Sequence, residues 1–183
     1  MLNLPFPVRD ANASSGNKNL GQLPEWDLSD LYTSDTAPEL TRDLDWLHKA
    51  CADFAADYEG KLATLDAAGL LECIRRDEAI STTAGRIMSY AGLRYYQLTT
   101  DGGRAKFMSD CQEKVTNSTT PLVFFSLELN RLDEGALAAM YAENADLARY
   151  KPVLDRIRAM KPYQLSDELE KFLHDLGVVG DAW

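Results

Sequence analysis

"PELTRDLDWLHKACADFAADYEG", residues Pro38 to Gly60, is the stretch whose reading decides the fold class. Leu40, Leu44, Leu47, Cys51, Phe54 and Tyr58 recur at steps of four, three, four, three and four, which lines all six along one stripe of an α-helix. Asp43, Asp45, Asp53, Asp57 and Glu59 fall mostly off that stripe and read as its solvated face. The spacing predicts a long amphipathic helix with Leu44 in the core. Thr36 or Asp35 is placed to cap its start, and Pro38 suits a first turn where its missing N–H costs no bond. Gly60 is placed to end it in the left-handed conformation.

The same periodicity continues downstream. It predicts a shorter helix over Ala67–Arg76 and a further one over Asp77–Thr99, through Ile80, Ala84, Ile87, Met88, Ala91, Tyr95 and Leu98. Gly102 and Gly103 of "TTDGG" are expected to break the helix and reverse the chain. Phe107, Cys111, Val115, Ser118, Leu122, Phe125, Leu129 and Leu132 then step by fours and threes, so the two long segments are expected to pack as an antiparallel hairpin. Pro121 cannot donate to the carbonyl of Asn117, which predicts a kink. Asp133 is placed to cap a short helix reaching Tyr141, Leu147–Met160 forms another, and Ser166 is placed to cap a last one over Asp167–Leu176 with an acidic first turn. No strand-length window alternates apolar and polar residues, and no fixed-period repeat occurs. The predicted class is all-α, a long antiparallel helical hairpin within a multi-helix bundle.

Composition narrows the function classes. At 183 residues and 45% hydrophobic, the chain has the size and balance of one globular domain with a substantial core. A net charge of −10 repels phosphate backbones and anionic headgroups, so neither nucleic acid nor membrane is an expected partner. Its longest apolar runs, such as Pro121–Phe125, fall far short of the roughly 20 residues that cross a bilayer. Cys51, Cys73 and Cys111 are odd in number and widely spaced, which suits buried thiols in a reducing cytosol better than zinc ligands or disulfides. Residues 1–21 lack a secretory signal and are rich in Asn, Ser and Gly; they read as a disordered leader ahead of a helical domain over residues 22–183.

A search for chemistry returns absences. His48 and His174 lack the i, i+4 partner of a zinc helix and read as surface or core-edge residues, and "HKACA" is not HExxH. GxGxxG, GxxxxGK[ST] and GxSxG do not occur. Glu72, Asp77 and Glu78 stand among Arg75 and Arg76 and read as ordinary helical charge pairs. In "LPEWDLSDLY", Leu23 to Tyr32, Asp27 is placed to cap a short turn. Trp26, Leu28, Leu31 and Tyr32 present more apolar surface than a linker requires, which suits docking either on the chain's own helices or on a further part of a larger protein.

In the order "LPEWDLSDLY", "YEGKL" (Tyr58–Leu62), "YAGLRYYQLTTD" (Tyr90–Asp101), "PLVFFSLELNRLDEGAL" (Pro121–Leu137) and "KPYQLSDELEKFLHDL" (Lys161–Leu176), the chain resembles oligoendopeptidase F-like zinc metallopeptidases, relatives of thimet oligopeptidase. The resemblance covers residues 23–183. It implies a mostly helical, cytoplasmic peptidase with a deep channel for short peptides, whose zinc is held by HExxH and a downstream Glu. Those motifs follow the region matched here, so the resemblance carries over no catalytic, cofactor-binding or metal-ligating residue. It implies a non-catalytic N-terminal helical domain forming part of the substrate channel, with its own C-terminal catalytic domain and short peptides as partners. Zinc is expected in that catalytic domain and not in this chain. Because the sequence ends at "VVGDAW", a fragment, an isolated domain or a truncated gene product is expected. The alternative is a free-standing acidic helical interaction module.

Overall fold

Pro38 opens the first helix as the spacing predicts, and the computed structural model, which describes residues 26–180, carries it through Tyr58 (α1, Pro38–Tyr58). The leader assigned to residues 1–21 lies outside the described residues. The remaining helices are α2 (Ala67–Tyr96), α3 (Gly102–Thr119), α4 (Val123–Arg131), α5 (Glu134–Glu143), α6 (Ala145–Ala148), α7 (Lys151–Arg158) and α8 (Asp167–Gly180). Short 3-10 turns occupy Leu62–Thr64, Thr120–Leu122 and Lys161–Tyr163, and no strand occurs among the described residues. The class is all-α.

Gly60 ends α1 at φ 76°, the left-handed conformation that its lack of a Cβ permits. Its N–H donates to Glu128 Oε1 at 2.6 Å, and the Leu62 N–H donates to Glu128 Oε2 at 3.3 Å, so one carboxylate on α4 fixes the turn that follows α1. At the other end neither Thr36 nor Asp35 caps the helix. Ala37 holds the cap position without a side-chain bond, because Asp35 is drawn to α2, where it accepts from Tyr90 Oη (2.9 Å) and Arg94 Nε (3.1 Å). Leu44 is half-buried, since it sits at one edge of the stripe.

The two helices predicted over 67–76 and 77–99 are one helix of 30 residues. Arg75, Arg76, Asp77 and Glu78 are polar, but none breaks a helix. Three of them also reach partners on other elements: Arg76 meets Asp57 at 2.7 Å, Arg75 meets Asp146 at 3.2 Å, and Tyr150 Oη donates to Glu78 at 2.8 Å. Gly102 and Gly103 start α3 and do not break a helix. Asp101 caps them, accepting from the N–H groups of Gly103 (2.8 Å) and Arg104 (3.1 Å), and the reversal falls in residues 97–101. Beside that turn α3 packs on α2, with Tyr90 and Phe107 edge to face at 5.9 Å and Arg104 Nη1 donating to the Arg94 carbonyl at 3.3 Å.

Pro121 interrupts the next helix as predicted, and the segment becomes α3, a 3-10 turn and α4. Asp133 caps α5 through the Ala136 N–H at 2.8 Å, and α5 runs two residues past Tyr141. The single helix predicted over 147–160 is divided into α6 and α7, because Pro152 has no N–H to continue the ladder and occupies the first turn of α7 instead. At the start of α8, the Ser166 carbonyl accepts from the Glu170 N–H at 2.9 Å, while Glu170 Oε1 accepts from the Leu165 N–H at 2.9 Å. α8 extends past Leu176 to Gly180.

The core forms where α1, α2, α3 and α4 meet. Phe54 is wholly buried at its centre, tilted against Tyr58 at 4.9 Å and Phe124 at 5.9 Å and edge to face with Phe125 at 5.4 Å. Phe125→Ala is expected to cost about 3–5 kcal/mol and Leu44→Ala about 1–2 kcal/mol, because only the first leaves a closed cavity. Urea unfolding of both variants checks the order; equal losses would contradict it.

Candidate functional site

α8 lies over the ends of α3 and α4 next to the Pro121 turn, tied down by Arg131 to Asp167, by Thr120 Oγ1 donating to Asp175 at 3.1 Å, and by Asn130 Nδ2 donating to Gln164 at 3.0 Å just ahead of it. Between α8 and α2 lies a cleft of about 540 Å³. Asp77, Ile80, Ser81 and Ala84 line it from α2, Val123 and Ser126 from α4, and Glu170, Leu173 and His174 from α8.

Asp77 has no hydrogen-bond or ion-pair partner among the described residues. Burial pushes its pKa up to about 6, and the neighbouring Glu78 carboxylate adds to the shift. The Nε2 of His174 is also buried without a partner. His48, by contrast, is exposed on α1, so the structure does not bring the two histidines together. The cleft therefore offers a desolvated carboxylate and an imidazole nitrogen. Read from sequence, Asp77 was one member of a surface charge run; its i, i+3, i+4 spacing to Ile80 and Ser81 was the available sign that it shares their face.

Of the carboxylates singled out on or next to α1, Asp43 pairs with Arg86, Asp53 with Lys49, and Asp57 with Arg76. The three thiols are free and buried, and burial pushes Cys51 and Cys111 to about 11 and Cys73 to about 12, which leaves them protonated and unreactive. Among the described residues no group of three His, Cys, Asp or Glu side chains could hold a metal ion. No helix there is long and apolar enough to cross a membrane.

The stretch from Trp26 to Ala37 divides in its behaviour. Asp27 Oδ1 accepts from the Ser29 N–H at 2.9 Å and forms the predicted turn. Tyr32 is buried against Tyr90 edge to face at 5.4 Å, lies under Arg86 at 4.5 Å, and donates to Asp43 at 2.9 Å, so this part docks on the chain's own helices. The Trp26 carbonyl accepts from Gln97 Nε2 at 2.9 Å, and its side chain stays 59% exposed.

A larger apolar surface lies at the other end of the chain. Met160, Tyr163 and Leu165 precede α8, and Leu169, Phe172, Leu173 and Leu176 form a stripe along it at i, i+3, i+4 and i+7. All seven are at least 40% exposed, with Tyr163 at 74% and Phe172 at 56%.

Residues 128–183, from the last turns of α4 through α8, match the family model described as oligopeptidase F, in its N-terminal part. Over these residues the chain is similar to the N-terminal region of oligopeptidase F. No curated protein and no solved structure matches the chain.

The cleft predicts a pH dependence of definite sign. Asp77 holds its proton more tightly in the folded chain than in the unfolded one, so its contribution to stability is full below about pH 4 and is lost as pH rises through about 6. With its partial exposure taken into account, Asp77→Asn is expected to raise stability at neutral pH by on the order of 1 kcal/mol and to flatten the stability profile between those limits. Thermal unfolding across that range tests it; an unchanged profile or a loss of stability at neutral pH would contradict the burial of this carboxylate.

Proposed function

We propose that residues 22–183 act as the non-catalytic N-terminal helical domain of an oligoendopeptidase F-like zinc peptidase that hydrolyses short peptides, with the domain forming one wall of the substrate channel. The observation that carries this reading is the family match over residues 128–183, in the segment that includes the exposed apolar stripe of α8. A channel wall acts by restricting and orienting the peptide, so it contributes binding energy and size selection and no proton-transfer group. The acidic balance of the chain favours cationic peptides. Its expected partners are the peptidase's own catalytic domain and those peptides.

Catalytic zinc needs three protein ligands and an open water position, and the described residues present no such set. No step of hydrolysis is therefore assigned to this chain. Zinc belongs to the catalytic domain of the proposed parent enzyme, which would act in the cytoplasm.

Two measurements test the reading. The reading frame following the codon for Trp183 is expected to encode HExxH; a frame without it favours a free-standing interaction module. The purified 183-residue chain is expected neither to retain zinc after dialysis nor to cleave a quenched fluorescent peptide. Chelator-sensitive cleavage by the chain alone would overturn the proposal.

A further inference from the structure

We infer that the cleft between α2 and α8 binds a primary alkylammonium group, with its charge between Asp77 and Glu170 and its carbon chain along the apolar side chains of α2 and α4. The inference rests on the cleft alone and stands or falls independently of the channel-wall reading.

Two side chains of this one lining lack partners. Asp77 on α2 is mostly buried and has no hydrogen-bond or ion-pair partner among the described residues, and the Nε2 of His174 on α8 is buried without one. Buried polar groups in folded proteins are paired, so two unpaired ones in a single cavity point to a ligand that pairs them. The space suits one. A cavity of about 540 Å³, apolar along Ile80, Ala84, Leu122 and Val123 with a few converging polar groups, has the size and composition of a small-molecule site.

Charge identifies the ligand. Asp77 and Glu170 stand on opposite walls, and among the described residues no Lys or Arg lines the cleft. Burial and the Glu78 carboxylate both raise the pKa of Asp77, and no nearby cation lowers it, so its ionised form has no counter-ion within the domain. A carboxylate or phosphate ligand would meet two like charges, and a neutral ligand would leave Asp77 unpaired. A bare metal ion lacks its ligands, since no group of three His, Cys, Asp or Glu among the described residues could hold one. An organic cation answers both the carboxylates and the apolar wall. Glu170 Oε1 already accepts from the Leu165 N–H at 2.9 Å, which leaves α8 a single carboxylate oxygen to offer. An ammonium, whose three donors diverge, can bridge the two walls, whereas a planar guanidinium would spend its fork on one of them.

A free alkylamine and the side chain of a peptide lysine carry this group alike, and the test separates them. Ligand-observed NMR titrations of the whole 183-residue chain would use n-pentylamine, pentan-1-ol and pentanoate, with acetyl-Ala-Lys-Ala-amide and its norleucine counterpart as the peptide arm. At about pH 7.5, above the value of about 6 to which burial raises Asp77, pentylamine is expected to bind at least about tenfold more tightly than the alcohol, and pentanoate not at all. Asp77→Asn should bring the amine down to the alcohol's level. Ser81→Trp, at an exposed position of the lining, should block the amine by filling the cleft while both carboxylates remain. Preference for the lysine peptide over the norleucine peptide assigns the group to a peptide side chain, and equal binding of the two peptides beside tight pentylamine assigns it to a free amine. Absence of saturable amine binding, equal binding of amine and alcohol, or amine binding that survives both substitutions overturns the inference, the last because it would reflect only the net charge of the chain.

Discussion

Burial of Phe54 is the constraint on which the rest of the bundle depends. Its ring lies on the inner face of α1 and touches both Phe124 and Phe125 of α4, so α1 and α4 hold one relative position. Arg76 of α2 lies over the rings of Phe54 and Tyr58, at 5.9 and 5.0 Å, and spends the rest of its guanidinium on Asp57. One aromatic side chain thus joins three helices that are remote in sequence. Glu128 complements it from α4 by holding the N–H groups of Gly60 and Leu62, which directs the chain from α1 into the turn before α2. A change at Phe54 would loosen the packing of α4, and with it everything that α4 carries.

What α4 carries is the C-terminal third. Arg158 of α7 donates to the carbonyls of Leu129 and Leu132, where α4 ends and its last C=O groups lack helical partners. Asn130 and Arg131 reach Gln164 and Asp167 at the start of α8. These polar contacts accompany the burial of Leu137, Leu147 and Leu154 in the core. The family match begins at residue 128, within this junction, and Leu129, Leu132, Leu137, Leu147 and Leu154 of the matched segment join the buried core.

The all-α class was legible because a 3.6-residue period survives any tertiary arrangement, and the Pro121 break and the Asp133 cap were legible because each acts within one turn of itself. Errors fall where a local signal had two structural outcomes. "DGG" can stop a helix or start one, and Asp101 decides for the start by accepting from the two N–H groups that follow. Arg75–Glu78 can flank a break or lie within a helix, and partners on α1, on α6 and in the link between α6 and α7 decide for the helix. Asp35 was a local cap on sequence grounds and became a distant acceptor, because Tyr90 and Arg94 lie 55 and 59 residues away. Burial of Asp77 was unreadable for the same reason: the desolvation comes from helices that the local pattern does not mention.

The α8 stripe shows why amphipathic pattern fixes a helix but not its environment. Leu169, Phe172, Leu173 and Leu176 predict the same helix whether they face the bundle or the solvent. What turns them outward is the attachment on the reverse side: Asp167 is held by Arg131, and Asp175 by Thr120. Polar tethers fix the rotation of the helix, and the apolar side chains follow it. Most of the chain's hydrophobic cohesion is spent in the centre around Phe54, so the domain can keep this second apolar surface exposed without losing its fold. A surface kept in that way has its free energy of burial still to be gained.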